Sequence, residues 1–308
     1  MSRRGRRPEA PGQDGPGEGR STVREVLDRQ GLAPSRRLGQ NFLVHPGLAQ
    51  RIVDQAGIEA GDLVVELGVG LGALTNLLAA RAHTVVGLEI DAGLVRWHQE
   101  AAGLAANVRL LHADLLHFDL ASLAAEEGRP LKIVANLPYS VSSPFLFRLL
   151  DLRSAVAWAV IMLQKEVATR LAALPGSRDY GILSVLLGAC ARVQTLFTVG
   201  AAHFHPRPRV DSAVVRVTFL PPPPAVANLP LHDPDWLRAV VKAAFGQRRK
   251  TLANALSAGL GLERSLVEEA TTGLGWAGER RAQELGVAEF VRLANALAPH
   301  RPVPGRRG

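Results

Sequence analysis

Residues 61–91 read GDLVVELGVGLGALTNLLAARAHTVVGLEID, in which two apolar runs, LVVEL and TVVGLE, flank a segment that opens on glycines and carries helical spacing. Neither run alternates with polar residues, the pattern of strands buried on both faces, and a glycine-rich turn between such a strand and a helix marks a βαβ unit. The alternation continues downstream. A helical stretch from Gly93 to Ala106 precedes the strands VRLLHAD and LKIVAN and the helical SSPFLFRLLD. Beyond them WAVIMLQ and SAVVRVTF are strand-like and enclose the helical KEVATRLAALP and YGILSVLLGACARV. Strands alternating with helices predict an α/β protein built on a Rossmann-like, doubly wound parallel sheet.

Upstream, STVREVLDRQGLAPSRRLGQNFLVHPGLAQRIVDQAGI predicts a short helix, a polar loop and a second helix with Leu48, Ile52 and Val53 on one face. Residues 1–20 are rich in Arg, Gly and Pro without an apolar segment and are expected to be a disordered basic arm. Residues 21–220 then form the Rossmann-like domain. The four prolines at 221–224 sustain neither helix nor central strand, so 221–230 is expected to be a linker. After it only helical spacing remains, which predicts a small all-helical domain over 231–299 and a disordered tail over 300–308.

The 308 residues are 47% hydrophobic and 21% charged, the composition of a globular protein. A formal charge of +8 and a pI near 10.6 favour a polyanionic partner, nucleic acid or an acidic membrane surface. The most apolar long stretch, Leu63 to Ala80, contains Glu66, Thr75 and Asn76, so no membrane span is expected. The single cysteine, Cys190, excludes an intrachain disulfide and fits a reducing compartment, the cytoplasm. It lies in an apolar helical segment and reads as core. The nine histidines, His203 and His205 among them, form no ligand set, and no metal is expected.

Chemistry gathers at the predicted strand ends. Gly68, Gly70 and Gly72 follow Glu66 at a strand-to-helix junction, where backbone N–H groups approach a ligand closely. Their spacing departs from GxGxxG, and a purely structural turn stays open. Glu89 ends the next strand, placed to take both hydroxyls of a ribose. Asp114 ends the one after, and an acceptor there suits the exocyclic amine of an adenine. A nucleoside held in this way, without a Walker lysine or a complete GxGxxG, suggests S-adenosylmethionine. Residues 136–144, NLPYSVSSP, then admit two readings. One is a capped strand end with turn residues. In the other, the Asn136 amide oxygen and the Leu137 carbonyl, presented by Pro138, accept the hydrogens of an adenine amine and aim its lone pair, while Tyr139 stacks on the ring. Arg209 and the cluster Gln247 to Lys250, with Arg248, Arg249 and Lys250, are either a solvated face or phosphate contacts. Beside a base pocket in a basic protein, phosphate contact is the expectation.

The segments GQNFLVHP (39–46), VELGVGLGALT (65–75), LEID (88–91), NLPYSVSSP, LQKEVATRL (163–171), PRPRVDSAVVRV (206–217) and FGQRRKTLANAL (245–256) resemble, in order, the small-subunit rRNA adenine N6,N6-dimethyltransferases, the kasugamycin-sensitivity enzymes. The resemblance covers about residues 35–298. It implies that Asn41 and Leu43 close over S-adenosylmethionine, that Gly68 lies against it, that Glu89 binds the ribose and Asp114 the adenine, and that Asn136 touches both cofactor and target amine. Tyr139 and Phe204 would sandwich the target base. The implied reaction is dimethylation of N6 on two adjacent adenosines in the 3′-terminal hairpin loop of small-subunit rRNA, within a small subunit or its precursor. No general base is indicated, and a monomer is the default expectation. Val69 stands where the family form has Pro, and Ser140 and Val141 replace the usual Asn-Ile; none of these removes a group with an assigned role. Two alternatives remain at this stage: a large-subunit rRNA adenine methyltransferase of the macrolide-resistance type, against which FGQRRKTLANAL argues, and a non-catalytic rRNA-binding assembly factor.

Overall fold

A computed structural model of the chain describes residues 23–29, 31, 33–35, 37–219, 231–247, 249–276 and 280–302. The expected arm (1–20), the linker (221–230), Arg248 and most of the tail (303–308) lie outside the described residues. The chain begins with α1 (Val23–Arg29), β1 (Phe42–Leu43) and α2 (Pro46–Ala56). The βαβ core follows as β2 (Leu63–Leu67), α3 (Thr75–Ala79), β3 (Thr84–Glu89), α4 (Ala92–Ala101), β4 (Val108–His112), α5 (Leu120–Glu126) and β5 (Leu131–Asn136). Next come α6 (Tyr139–Asp151), β6 (Val156–Gln164), α7 (Lys165–Leu171), α8 (Ile182–Gly188), β7 (Arg192–Val199), β8 (Phe204–His205) and β9 (Ser212–Thr218). The helical part consists of α9 (Pro234–Gly246), α10 (Leu252–Leu260), α11 (Arg264–Gly273) and α12 (Val287–Leu297), with short 3₁₀ turns.

Seven strands form one sheet in the order β4-β3-β2-β5-β6-β9-β7. The pairs from β4 to β6 are parallel, as the alternation of strands and helices requires, and the order reverses beside β2, which puts a crevice at the carboxyl ends of β2 and β5. The sheet is not parallel throughout. β9 pairs antiparallel with both β6 and β7 and alone runs against the rest. Only the first two residues of β7 were expected, as the end of a helical segment; it is an edge strand, largely exposed, whose polar side chains blur the buried-strand pattern. Its end, Val199, pairs with Ser212 at the start of β9, and Ser212 also pairs with Gln164 at the end of β6. The connection 200–211 therefore hangs over the same sheet edge as the parallel strand ends.

Alternation along the strands sorts the interior into two layers. Val65, Leu67, Ile133, Ala135 and Ile161 face α5, α6 and α8, whereas Val64, Val134, Val160 and Met162 face α2 and α3. Truncating a side chain such as Ile133, wholly buried at the sheet centre, costs about 2–5 kcal/mol. The helices after 233 share the first layer. Phe245 of α9 stacks on Phe290 of α12 at 5.7 Å and meets Tyr180 edge-on at 6.0 Å. The Tyr180 hydroxyl donates to the Leu285 carbonyl at 2.9 Å, and Arg238 of α9 pairs with Asp151 at the end of α6. Three helices of this fold start on an aspartate cap that accepts backbone N–H groups: Asp91, Asp119 and Asp233. α4 is shorter than expected because Ala102 adopts a left-handed conformation that ends it. The expected helical spacing across 233–256 is broken into α9 and α10 around Gln247, whose backbone is not helical.

Candidate functional site

One cavity lies at the carboxyl edge of the sheet, and the structure brings ten of the expected residues to it: Asn41, Leu43, Gly68, Glu89, Asp114, Asn136, Leu137, Pro138, Tyr139 and Phe204. Each arrives for a local reason. Gly68 follows β2 with φ of 78°, a left-handed value open to glycine, and its N–H donates to the Leu88 carbonyl at 2.9 Å. Glu89 closes β3 and Asn136 closes β5. Pro138 sets the turn from which α6 starts, so Tyr139 is the first residue of a helix rather than part of a loop.

Three carboxylates line the cavity. Glu89 is buried, and its two oxygens accept from Gly70 N–H at 2.8 Å and Asp91 N–H at 2.9 Å. Burial raises its pKa, and these backbone donors hold part of the rise back. Glu66 is buried to 1% exposure beneath the glycine turn, and among the described residues its Oε2 and the hydroxyl of Thr75 are buried without a well-formed hydrogen bond. Burial pushes the Glu66 carboxyl up to about 8, against the pull of the nearby Thr75 hydroxyl and with the charge of Glu89 adding to the rise. Asp114 behaves differently. Its partial burial is outweighed by the Leu116 N–H at 2.8 Å and the His117 ring at 2.9 Å, which keep the carboxyl below its ordinary value. The carboxylates of Glu89 and Asp114 are acceptors that suit hydroxyl and amine hydrogens and a positive centre. Ile90, 44% exposed at the cavity wall, and Leu115 offer apolar surface for a flat ring.

A segment from the N-terminal part covers this wall. Gln40 accepts from Ser35 N–H at 2.8 Å and donates to Asp91 at 3.0 Å, tying the cover to the residue after next from Glu89. The Phe42 ring packs where a side chain on Gly70 would lie, 3.3 Å from that position, and clusters with Leu27 of α1 and Leu94 of α4. β1 then pairs antiparallel with β8, matching Leu43 to Phe204 and Phe42 to His205. Opposite this ribbon, the Asn136 amide nitrogen donates to the Asn41 carbonyl at 3.4 Å. Only the N–H side of an amide pairs with a carbonyl, so the oxygen is turned the other way. The Tyr139 hydroxyl lies 2.8 Å from the hydroxyl of Ser212, a side chain with no exposure at the start of β9. Burial raises the Tyr139 pKa, with Ser212 opposing and Asp211 adding.

Arg209, Arg249 and Lys250 are exposed and do not line the cavity, and Arg248 lies outside the described residues. Glu66, Gln40, Phe42 and Ile90 are cavity residues that the sequence reading gave no role. Glu66 carries a readable signal, an acid inside an otherwise apolar strand; Phe42 and Ile90 carry none.

A family model described as ribosomal RNA adenine dimethylase matches residues 33–298. The chain is 43% identical to the ribosomal RNA small subunit methyltransferase A of Desulfotalea psychrophila, over 89% of this chain and 95% of that protein. It is 41% identical to the protein of the same description from Geobacillus thermodenitrificans, over 90% and 95%. Among solved structures it is similar to a dimethyladenosine transferase from Plasmodium falciparum, with TM-score 0.66, 25% identity and coverage of 84% of this chain and 98% of that one. It is also similar to the 23S rRNA methyltransferase ErmE, with TM-score 0.62, 25% identity and coverage of 84% and 100%.

Proposed function

Because this chain belongs to the ribosomal RNA adenine dimethylase family, we propose that the cavity at the carboxyl edge of the sheet holds S-adenosylmethionine beside an unpaired adenosine and directs methyl transfer to its N6. The enzyme is an S-adenosylmethionine-dependent rRNA adenine dimethyltransferase acting on small-subunit rRNA. The higher identity to small-subunit enzymes than to the 23S enzyme favours this over the large-subunit alternative. The observation that carries the reading is the convergence of Glu89 and Asp114 with Asn136, Tyr139 and Phe204 on one cavity.

The cofactor, when bound, supplies a methyl group on a positive sulfonium. The protein's own contribution is orientation and electrostatics. Glu89, with backbone N–H groups on both oxygens, is fixed for ribose hydroxyls, and Asp114 is held ionised as an acceptor for the adenine amine. Gly68 lets the backbone approach without a side chain in the way. Asn41 and Leu43 form the cover. On the acceptor side, N6 of adenine is a poor nucleophile because its lone pair is delocalised into the ring. The Asn136 oxygen and the Leu137 carbonyl, accepting both amine hydrogens, turn that lone pair out of conjugation, and Pro138 fixes the carbonyl's direction. Tyr139 and Phe204 hold the ring faces. No side chain is needed as a general base, since the proton leaves after the new N–C bond forms. The base must be unpaired or flipped to enter, which fits a hairpin loop, with Arg209, Arg248, Arg249 and Lys250 on flanking phosphates.

In the finer reading, the targets are two adjacent adenosines in the 3′-terminal hairpin loop, each methylated twice, within a small subunit or its precursor, by a monomer in the cytoplasm. The helices from 231 to 299 serve as an RNA-holding domain. Mass spectrometry of rRNA fragments, after the purified protein is incubated with undermethylated small subunits and S-adenosylmethionine, tests it. Two neighbouring adenosines each gaining two methyl groups is the expected result, and modification of large-subunit rRNA instead would overturn it. Asn136→Ala should abolish transfer while leaving RNA binding largely intact; retained dimethylation would remove Asn136 from its proposed role.

A further inference from the structure

His98 lies on α4, outside every role described above, yet it is buried to 5% exposure directly beneath the glycine turn. Its Nε2 is 2.9 Å from the Gly70 carbonyl oxygen. A carbonyl only accepts, so the ring carries its hydrogen on Nε2 and donates. The same glycine donates its N–H to Glu89 at 2.8 Å. Gly70 is thus held from both sides, by the ribose-facing carboxylate above and by an imidazole below. Its φ of 58° and the 78° of Gly72 are left-handed values open to glycine, so the turn's position is set by the groups that bond to it. The ring also fills the space under the turn, since a side-chain carbon on Gly72 would lie 3.1 Å from its Cε1.

We propose that His98 is a positioning residue for cofactor binding, locking the glycine turn through the Gly70 carbonyl so that the Gly70 N–H holds Glu89 in the orientation that receives the ribose. Without the donor, the partly buried carbonyl loses its protein partner, the turn relaxes, and Glu89 loses one of the two N–H groups that aim it. Burial keeps the imidazole pKa below its ordinary value, in accord with a neutral ring donating from one nitrogen. The inference rests on the reading that Glu89 and the glycine turn hold the nucleoside.

The test is calorimetric titration of S-adenosylhomocysteine into the full chain carrying His98→Leu, His98→Gln or Glu89→Ala, with thermal unfolding of each ligand-free protein. The leucine variant keeps the volume and loses the donor; it should bind about five- to tenfold more weakly. Its KM for S-adenosylmethionine should rise by a similar factor, with kcat at saturating cofactor little changed. The glutamine variant keeps an N–H donor and should bind within about twofold of the parent. Parent-like affinity in His98→Leu, or a glutamine variant as weak as the leucine one, would overturn the proposal. Should His98→Leu fail to fold, His98→Met, also without a donor, replaces it in the same comparison. Parent-like affinity in Glu89→Ala would instead overturn the underlying assignment of the ribose site.

Discussion

Replacing Glu66 by Gln should change how the stability of the ligand-free protein depends on pH. The carboxyl is wholly buried in a strand under the glycine turn, with one oxygen unpartnered, and its pKa stands near 8 against 4.5 for the free side chain. A folded value above the unfolded one means that the native state binds the proton more tightly. The contribution of Glu66 is therefore present in full below pH 4.5, declines as pH rises, and is gone above 8. At 1.36 kcal/mol per pKa unit, the whole span is about 5 kcal/mol, of which about 3–4 kcal/mol falls between pH 5 and 8. Glutamine occupies the same volume and does not titrate, so the stability of Glu66→Gln relative to the parent should rise by about that amount over the same window, while titrating groups remote from Glu66 cancel. Urea unfolding followed by tryptophan fluorescence at pH 5, 6, 7 and 8 measures the difference, using the four tryptophans of the chain. Parallel curves for the two proteins, separated by a constant offset, would refute the argument that this carboxyl is protonated in the native state at neutral pH.

Ser212→Ala releases the Tyr139 hydroxyl and should lower kcat a few-fold without weakening S-adenosylhomocysteine binding; Tyr139→Phe should do the same, and the double variant should add nothing, which single-turnover assays would show. Gly259→Ala puts a carbon 2.6 Å from Ala243 Cβ and 2.9 Å from its Cα, so α9 and α10 must part. A loss of about 1–3 kcal/mol is expected from thermal unfolding. Replacing Arg249 and Lys250 by Ala should weaken RNA binding and reduce the salt dependence of log K by about 1.4 for two phosphate contacts, with cofactor affinity unchanged. An unaltered salt slope would show that the pair is only a solvated face.

Much of the site was written into strand ends. LVVEL, TVVGLE and LKIVAN are apolar enough to declare buried parallel strands, and in such a sheet the residue that closes each strand faces the ligand crevice. That rule puts Glu89 and Asn136 at the cavity, where they end their strands. Other features had no local signal. A two-residue strand such as Phe42–Leu43 has no period to detect, and its partner lies at Phe204–His205, far along the chain. β7 is mostly solvent-exposed and polar, so its alternation merged with the helical residues before it. The break between α9 and α10 depends on tertiary contacts, including the Leu252 N–H donating to the Arg280 carbonyl at 2.7 Å, that spacing alone does not encode. His98 carries no local signal, because its partner is the Gly70 carbonyl, 28 residues earlier in the chain.

The ribbon of β1 and β8 has a consequence for synthesis. Four strands of the sheet, with Glu66, Glu89, Asp114 and Asn136 near its carboxyl edge, precede residue 140, yet the strand that pairs with the covering Phe42–Leu43 comes only at residues 204 and 205. An emerging polypeptide carries the wall of the donor pocket long before it carries the latch. The cover is thus completed only after residue 205 is made, and Phe204, which pairs with it, is the residue proposed to flank the incoming base.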